Sequence, residues 1–166
     1  MKRTSSLLQS NNMRFLCDQM LGTLAKWLRL MGYNTFYANN EMKDSELLQI
    51  AKKEKRIIIT RDKELFIRGK KQNLKVIKIK STDLDIQLKH VLNDIRINKE
   101  AIFSRCSLCN TLINKIDKDE IKNKVPEKIY KYKNLFWFCP KCGKIYWMGS
   151  HYNKIITKIN EIKNNV

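Results

Sequence analysis

Acidic residues are scarce in this chain of 166 residues, because 16 Asp and Glu stand against 34 Lys and Arg and leave a formal net charge of +18. The basic excess runs through both halves and does not form a tail. The positive electrostatic potential of such a chain favours binding to a polyanion. Nucleic acid is the first candidate, because phosphates that are neutralised by Lys and Arg release counterions. An AT-rich coding sequence also produces abundant Lys, Ile and Asn, so a merely basic surface is the alternative.

Long apolar runs and internal repeats are missing as well. The absence of any stretch of about 18 apolar residues excludes a membrane span on length, and no repeat suggests a solenoid. No apolar core of a signal peptide lies near Met1, so we expect an intracellular, reducing compartment, the cytoplasm first and the nucleus second. We interpret residues 1–12 as a flexible extension.

Four of the five cysteines form two matched CxxC pairs: Cys106 with Cys109, and Cys139 with Cys142. A turn-forming residue follows each pair, and four thiolates at this spacing fit one tetrahedral zinc ion. Disulfides are a weaker alternative in a reducing compartment, and a dithiol redox pair should open a helix after a strand. We therefore predict a small structural zinc ribbon over 96–152, whereas Cys17 is expected to be a buried apolar residue.

The first 95 residues alternate between strand-like and helix-like patterns. Leu21, Leu24 and Leu28 fall on one helical face, and Gly32 stands where a helix cap is expected. The β-branched run from Arg56 to Thr60 is typical of a strand buried on both faces of a parallel sheet. We predict an α/β domain over 13–95, with a parallel sheet flanked by helices, and a tail or short helix over 153–166.

Several of the few acids lie where predicted strands end or helices begin. Asp18 follows the first strand and Asp62 the central strand, while Asp44 and Glu46 open the helix between those strands. Ligands of doubly wound sheets bind at the carboxyl ends of the strands, and carboxylates there could share Mg²⁺ or Mn²⁺. Helix capping is the alternative role, because an Asp at a helix start accepts free backbone N–H groups.

Five sequence segments occur in one diagnostic order: the run from Phe15 to Tyr33, Thr60-Arg61-Asp62, Ser104-Arg105-Cys106, Cys139-Pro140-Lys141-Cys142-Gly143 and Tyr146-Trp147-Met148-Gly149-Ser150-His151. Together they resemble the Mut-seven C-terminal RNase domain family, over about residues 13–151 of the chain. The resemblance implies a PIN-like α/β nuclease domain with an appended zinc ribbon. It also implies a metal-dependent ribonuclease, a hydrolase that acts on single-stranded or structured RNA.

The resemblance further assigns site residues. It implies that Asp18 and Asp62 are the best ligands for a catalytic Mg²⁺ or Mn²⁺, that Asp44 is the third, and that Glu46 or Glu64 supplements them. The run from Lys43 to Glu46 departs from the denser acidic cluster of the family. This departure and the net charge of +18 leave a non-catalytic RNA-binding or ribonucleoprotein-associated module as the alternative function, and a protein-interaction adaptor whose ribbon docks a partner as the third.

Basic side chains in these segments are candidate RNA contacts: Lys26, Arg29, Arg61, Arg105 and His151. Lys26 and Arg29 lie off the apolar stripe of their helix and are expected to face solvent. Arg61 could neutralise a phosphate oxygen, and an exposed structural arginine is the alternative. Aromatic residues are interleaved with lysines in the second half: Tyr130, Tyr132, Trp137, Tyr146 and Trp147. They could stack unpaired bases or pack around the zinc core.

Overall fold

The computed structural model describes residues 13–93, 95 and 97–164. The flexible extension predicted for 1–12 lies outside the described residues. No helix within the described ranges combines the length and the apolar character that crossing a bilayer requires.

Four strands alternate with helices in the first half of the chain: β1 (Arg14–Cys17), α1 (Gly22–Leu30), β2 (Asn34–Tyr37), α2 (Asp44–Glu54), β3 (Ile57–Thr60), α3 (Lys63–Lys71), β4 (Val76–Lys78) and α4 (Leu84–Leu92). A short 3-10 turn, Gln19–Leu21, leads into α1. The four strands are parallel, in the order β2-β1-β3-β4. This arrangement confirms the predicted α/β fold with a parallel sheet.

The sheet is buried on both faces, as the β-branched run of β3 predicts. Phe15 and Cys17 point to one face of β1 and join a cluster that includes α1 and α4 residues, whereas Leu16 points to the opposite face and packs against α2 and α3. This alternation follows from the two-residue period of a strand. The result is a three-layer domain in which Cys17 is fully buried, as expected.

The chain order of the strands creates a crevice at one edge of the sheet. From β1 the chain crosses to β2 on one side, and it later returns to β3 on the other side of β1. Neighbouring loops diverge at such a switch point, and ligands bind there outside the carboxyl ends of the strands. Asp18 and Asp62 follow these two strands.

The second half forms a smaller antiparallel sheet and two helices: β5 (Asn114–Ile116), α5 (Glu127–Tyr132), β6 (Phe136–Phe138), β7 (Ile145–Trp147) and α6 (Ser150–Asn164). Strands β6 and β7 form a hairpin, and the second cysteine pair lies in the turn between them. Strand β5 and helix α5 were not predicted. Both are too short for their side chains to establish a periodic pattern.

The C-terminal helix α6 belongs to the core of the α/β domain. Ile155, Ile159 and Ile162 are buried in the same cluster as Leu88 and Val91 of α4. The helix begins at Ser150 and has 15 residues, so it is longer than the tail or short helix predicted for 153–166. The regular spacing of its isoleucines reflects packing against the first domain, which places both ends of the described chain in one core.

Arg29 is buried at the junction of the two halves, with only 7% of its surface exposed. Its Nε donates to the Thr35 carbonyl over 2.9 Å, and its Nη1 donates to the carbonyls of Ser107 and Leu108 over 3.1 and 2.8 Å. The prediction that Arg29 faces solvent is therefore wrong. The periodicity of α1 alone could not show that the first cysteine turn covers this position.

Asn110 completes the junction by pairing with the edge strand β2. Its Oδ1 accepts the Thr35 N–H over 3.0 Å, and its Nδ2 donates to Asn34 Oδ1 over 2.9 Å. Asn110 adopts a positive φ of 68°, which asparagine tolerates well. The turn that carries Cys106 and Cys109 thus satisfies part of an exposed sheet edge.

We expect Arg29→Met to lower the free energy of unfolding by about 2–4 kcal/mol, because three carbonyls lose a charged donor at a site with little water. Lys26→Met on the same helix is the matched control, since Lys26 is exposed and should change stability by less than about 0.5 kcal/mol. Urea denaturation of both variants measures the difference. Equal midpoints for the two variants would contradict the assigned role of Arg29.

Candidate active site and metal centre

The crevice at the switch point contains three of the predicted acids. Asp18 directly follows β1, Asp44 is the first residue of α2, and Asp62 precedes α3. All three line one cavity of about 80 Å³, together with Asn39 and Met42. We call this cavity the acidic cavity, and it brings together side chains from three different loops.

Asp18 is the deepest of these acids, with 4% of its surface exposed. Its Oδ1 accepts the Met20 N–H over 2.9 Å, and its Oδ2 accepts the Arg61 N–H over 2.8 Å as well as the Thr60 hydroxyl. Within the described part of the chain, no Lys or Arg side chain forms an ion pair with it. A buried carboxylate without a cationic side chain beside it is suited to accept a cation from solution.

Thr60, the last residue of β3, connects two of the acids. Its hydroxyl donates to Asp18 Oδ2 and accepts the Asp62 N–H over 2.9 Å. Sequence reasoning assigned Thr60 no role, although its position immediately before Arg61 and Asp62 was visible. A hydroxyl at the end of a buried strand, next to an acid, was the signal that could have identified it.

We expect Thr60→Val to reduce the RNA cleavage that the family resemblance implies by about 10–100-fold, because the carboxylate of Asp18 loses the hydroxyl that holds it. The substitution conserves shape, and Thr60→Ser should restore most of the activity by restoring the hydroxyl. Thr157→Val, at an exposed position of α6, is the control. Equal losses in the serine and valine variants would contradict a positioning role for the hydroxyl.

Asp62 and Asp44 are each partly engaged by the protein. Asp62 Oδ1 accepts the Leu65 N–H over 2.7 Å and caps α3, so the capping alternative holds for this oxygen. Asp44 Oδ2 lies 3.2 Å from Nη1 of Arg68. The two side chains of this ion pair are 46% and 34% exposed, so it contributes less than about 1 kcal/mol and opens readily.

Three expectations for the neighbouring acids need correction or remain without support. Asp44 does not cap α2, because Lys43 occupies the cap position. Glu46 accepts the Lys43 N–H over 2.7 Å and does not line the acidic cavity. Glu64 is exposed in the first turn of α3 and does not line it either.

The donor set of the acidic cavity fits a hydrated divalent cation. Carboxylate oxygens and the Asn39 amide are hard ligands, which Mg²⁺ and Mn²⁺ prefer. The three carboxylates do not form a group whose oxygens all lie within 4.8 Å of one another. The cavity has room for an ion with a few of its waters, since one water occupies about 30 Å³ of liquid.

Two predicted RNA contacts meet in a groove beside the acidic cavity. Lys26 and Arg61 line this groove of about 400 Å³, together with Tyr37, and Met20 borders both spaces. Met20 is 57% exposed, so the boundary between the groove and the acidic cavity is open to solvent. We call it the basic groove, and it offers cationic groups next to the acids.

The four paired cysteines converge in the second half of the chain. Their sulfur atoms all lie within 4.8 Å of one another, with 3.5 Å between Cys106 and Cys142 and 3.4 Å between Cys109 and Cys139. A tetrahedral zinc site with Zn–S bonds of about 2.3 Å requires sulfur separations of about 3.8 Å. The cluster could therefore hold one zinc ion after small adjustments, and among the described residues it is the only such group.

The two cysteine turns have the same backbone geometry. The N–H of Cys106 donates to the Thr111 carbonyl, and the N–H of Cys139 donates to the Lys144 carbonyl, in each case five residues onward. Asn110 and Gly143 follow the pairs with positive φ angles of 68° and 73°. These matched turns confirm the interpretation of Asn110 and Gly143 as turn formers.

Groups around the cysteines set the protonation of the sulfurs. Burial by itself raises the pKa of Cys109, but hydrogen bonds with Thr111 and Cys139 outweigh it and lower the pKa to about 6. Burial raises the pKa of Cys139 to about 12. Burial also raises the pKa of Tyr146, so its hydroxyl stays protonated 3.0 Å from the Cys106 sulfur and accepts the Ser107 N–H over 3.1 Å.

Two further candidate RNA contacts lie near this cluster. Arg105 is half-buried, and its Nη1 donates to the Asn110 carbonyl over 2.9 Å, which braces the first cysteine turn. His151 is exposed in the first turn of α6 and does not belong to the cysteine group. The four cysteines by themselves could supply all the ligands of a tetrahedral zinc site.

The chain combines a parallel α/β domain that carries carboxylates at its switch point with an antiparallel module whose four cysteines could hold a metal ion. A family model for the Mut7-C RNAse domain matches residues 13–159. The chain belongs to this family, which confirms the resemblance and indicates a nuclease-like role with RNA as substrate or partner. No curated protein matches the chain.

Proposed function

We propose that the protein is a metal-dependent ribonuclease that hydrolyses phosphodiester bonds at the acidic cavity. The observation that carries the proposal is the meeting of Asp18, Asp44 and Asp62 around one cavity at the switch point of the sheet. These acids come from three separate loops of a chain with few acids. Their placement agrees with membership of an RNase domain family.

Asp18, Asp62 and Asp44 would hold one Mg²⁺ or Mn²⁺ ion, directly or through its waters. A divalent cation bound there polarises the phosphodiester and lowers the pKa of a water molecule. Asp18 is held in one orientation by three hydrogen bonds, and the N-terminal turn of α3 holds Asp62. Such preorganisation avoids reorienting the ligands during the reaction.

The basic groove positions the RNA beside these acids. Lys26 and Arg61 would neutralise backbone phosphates, and Tyr37 offers a ring that is 36% exposed for contact with a base. The groove adjoins the acidic cavity at Met20, so a strand bound in it would pass over Asp18. The positive charges also offset repulsion between the phosphates and the carboxylates.

The four cysteines would hold a structural zinc ion in this proposal. Four thiolates leave no open coordination position, so the ribbon is not a second catalytic centre. Arg29 and Asn110 fasten the ribbon to α1 and β2, and the ribbon in turn helps to hold RNA.

The test is cleavage of a single-stranded RNA by the purified chain in Mn²⁺, compared with the same reaction in Ca²⁺. We expect cleavage in Mn²⁺ and little in Ca²⁺, whose longer and less regular coordination suits an in-line displacement poorly. A DNA strand of the same sequence measures selectivity for the sugar. An absence of cleavage in Mn²⁺ and in Mg²⁺ would contradict the proposal.

A second candidate is a non-catalytic RNA-binding module that works within a ribonucleoprotein. Two observations favour it. Asp44 forms an ion pair with Arg68, and the oxygens of Asp18, Asp44 and Asp62 do not all lie within 4.8 Å of one another. This candidate predicts RNA affinity that falls steeply with salt, because many phosphates are neutralised, and no turnover in any metal. The cleavage assay therefore separates the two candidates.

A further inference from the structure

The terminal family segment, from Tyr146 to His151, forms one wall of a cleft that neither the cysteines nor the acids explain. The cleft has a volume of about 470 Å³ and lies between β7, α5 and the first turn of α6. Most of its walls are apolar, and both Ile129 of α5 and Trp147 of β7 line it. We call it the terminal cleft, and its size is that of a small-molecule or single-nucleotide site.

Trp147 supplies an aromatic side chain to the terminal cleft. It also lines a second cavity of about 370 Å³, so it borders two cavities. Gly149 permits this placement, because a Cβ at that position would lie 3.1 Å from the Trp147 Nε1. The half-buried indole therefore keeps a surface on which a planar ring can stack.

The charged residues of the terminal cleft are all basic. Lys133 and Lys144 line it, His151 stands at its edge, and no described Asp or Glu contributes to its walls. The Lys144 Nζ lies 5.3 Å from the centre of the Tyr146 ring, so a cation and an aromatic ring occupy the same wall. Aromatic surface beside lysine is the combination that binds a base together with its phosphate.

The cleft and the acidic cavity lie at opposite ends of helix α1. Leu30, the last residue of the helix, lines the terminal cleft, whereas Gln19 and Met20, just before the helix, line the acidic cavity. A helix of nine residues is about 13 Å long. A single strand that occupied both sites would therefore span several nucleotides.

From this arrangement we infer that the terminal cleft binds one unpaired nucleotide of the RNA, several nucleotides away from the cleaved bond. The base stacks on Trp147, and Lys133 and Lys144 contact the phosphates on either side. The inference rests on the proposed function for the identity of the ligand as RNA. It assigns a role to the terminal segment that zinc binding leaves unexplained.

The test measures binding without cleavage, in a chain that carries Asp18→Asn. The probe is a fluorescent single-stranded oligoadenylate of about ten nucleotides, and the readout is its anisotropy. We expect Trp147→Leu and Lys133→Glu each to weaken binding about tenfold, since one stacked base contributes about 1–3 kcal/mol. Lys128→Glu is the matched control, because Lys128 is exposed on helix α5, five residues before Lys133, but does not line the cleft, and it should change affinity less than about threefold.

Two results would overturn the inference: affinity unchanged in Trp147→Leu and Lys133→Glu, or an equal loss in Lys128→Glu. The first result would indicate that the apolar cleft binds a protein segment. The second would indicate that Lys133 contributes to RNA binding only through the net charge of the protein. If Trp147→Leu does not fold, Lys133→Glu still decides. Cleavage by the unmodified chain is measured separately. Binding at the cleft without cleavage would contradict the nuclease proposal alone. Cleavage without binding at the cleft would contradict this inference alone.

Discussion

Asp18→Asn is expected to reduce metal-dependent RNA cleavage by more than about 100-fold, because loss of a primary ligand costs more than loss of an outer contact. Asparagine keeps the shape of the side chain and can still accept the Met20 N–H. The Arg61 N–H loses its acceptor if the amide nitrogen replaces Oδ2, and this costs about 1–3 kcal/mol of stability. Cleavage rates at several Mn²⁺ concentrations measure the effect.

Asp119→Asn is the control for Asp18→Asn, because Asp119 is an exposed acid in the ribbon and lies outside the acidic cavity. It should cleave RNA at the rate of the unmodified protein. Circular dichroism of both variants verifies that they are folded. A folded Asp18→Asn variant with undiminished cleavage would exclude the acidic cavity as the catalytic centre.

Cys139→Ser removes one of the four sulfurs that could hold zinc and is expected to unfold the ribbon. A segment shorter than about 70 residues buries too little apolar surface to fold without a metal or a large partner surface. Structural zinc supplies about 10–16 kcal/mol in small zinc-binding peptides. We expect the bound zinc to fall from one ion per chain to nearly none, and the contacts of Arg29 with the ribbon and of Asn110 with β2 to be lost with it.

Cys17→Ala provides the matched control, since Cys17 is the one cysteine outside the cluster and is buried in the first domain. This variant should retain one zinc ion per chain and lose only modest stability. Metal analysis after dialysis, together with proteolysis of the 96–152 segment, distinguishes the two variants. Full zinc content and an intact ribbon in Cys139→Ser would contradict a four-cysteine site.

The parts of the fold that sequence reasoning predicted are those that local pattern determines. The β-branched run of β3 and the leucine spacing of α1 each report a buried surface, and both elements are present. The two cysteine pairs carry their own spacing rule, so their convergence could be predicted from the spacing alone. Asp18 and Asp62 could be placed at one edge because parallel strands share their carboxyl ends.

Arg29 and Thr60 show what local pattern does not contain. The burial of Arg29 depends on the ribbon, which is remote in sequence, and a helical period cannot report a partner from another module. The role of Thr60 depends on the register that sets β3 beside β1. Long-range register and docking decide both positions, and one sequence without its fold specifies neither.

Helix α6 is a further element whose packing partners could not be predicted from local pattern. The sequence predicted a tail or short helix over 153–166, yet the isoleucines of α6 pack against α4, in the domain that the predicted boundary at 95 had separated from it. Ile97 and Ile102 join the same core. Because the two halves share apolar surface, the damage caused by loss of the ribbon should extend to the stability of the first domain.

The most direct test of the central claim is the rate of RNA cleavage by the double variant Asp18→Asn with Asp62→Asn, measured beside the unmodified protein across a Mn²⁺ titration. The account predicts Mn²⁺-dependent cleavage by the unmodified protein. It also predicts no saturable Mn²⁺ response in the double variant, whose zinc content and circular dichroism should be preserved. Cleavage by the folded double variant at the unmodified rate, with the same dependence on Mn²⁺, would contradict it.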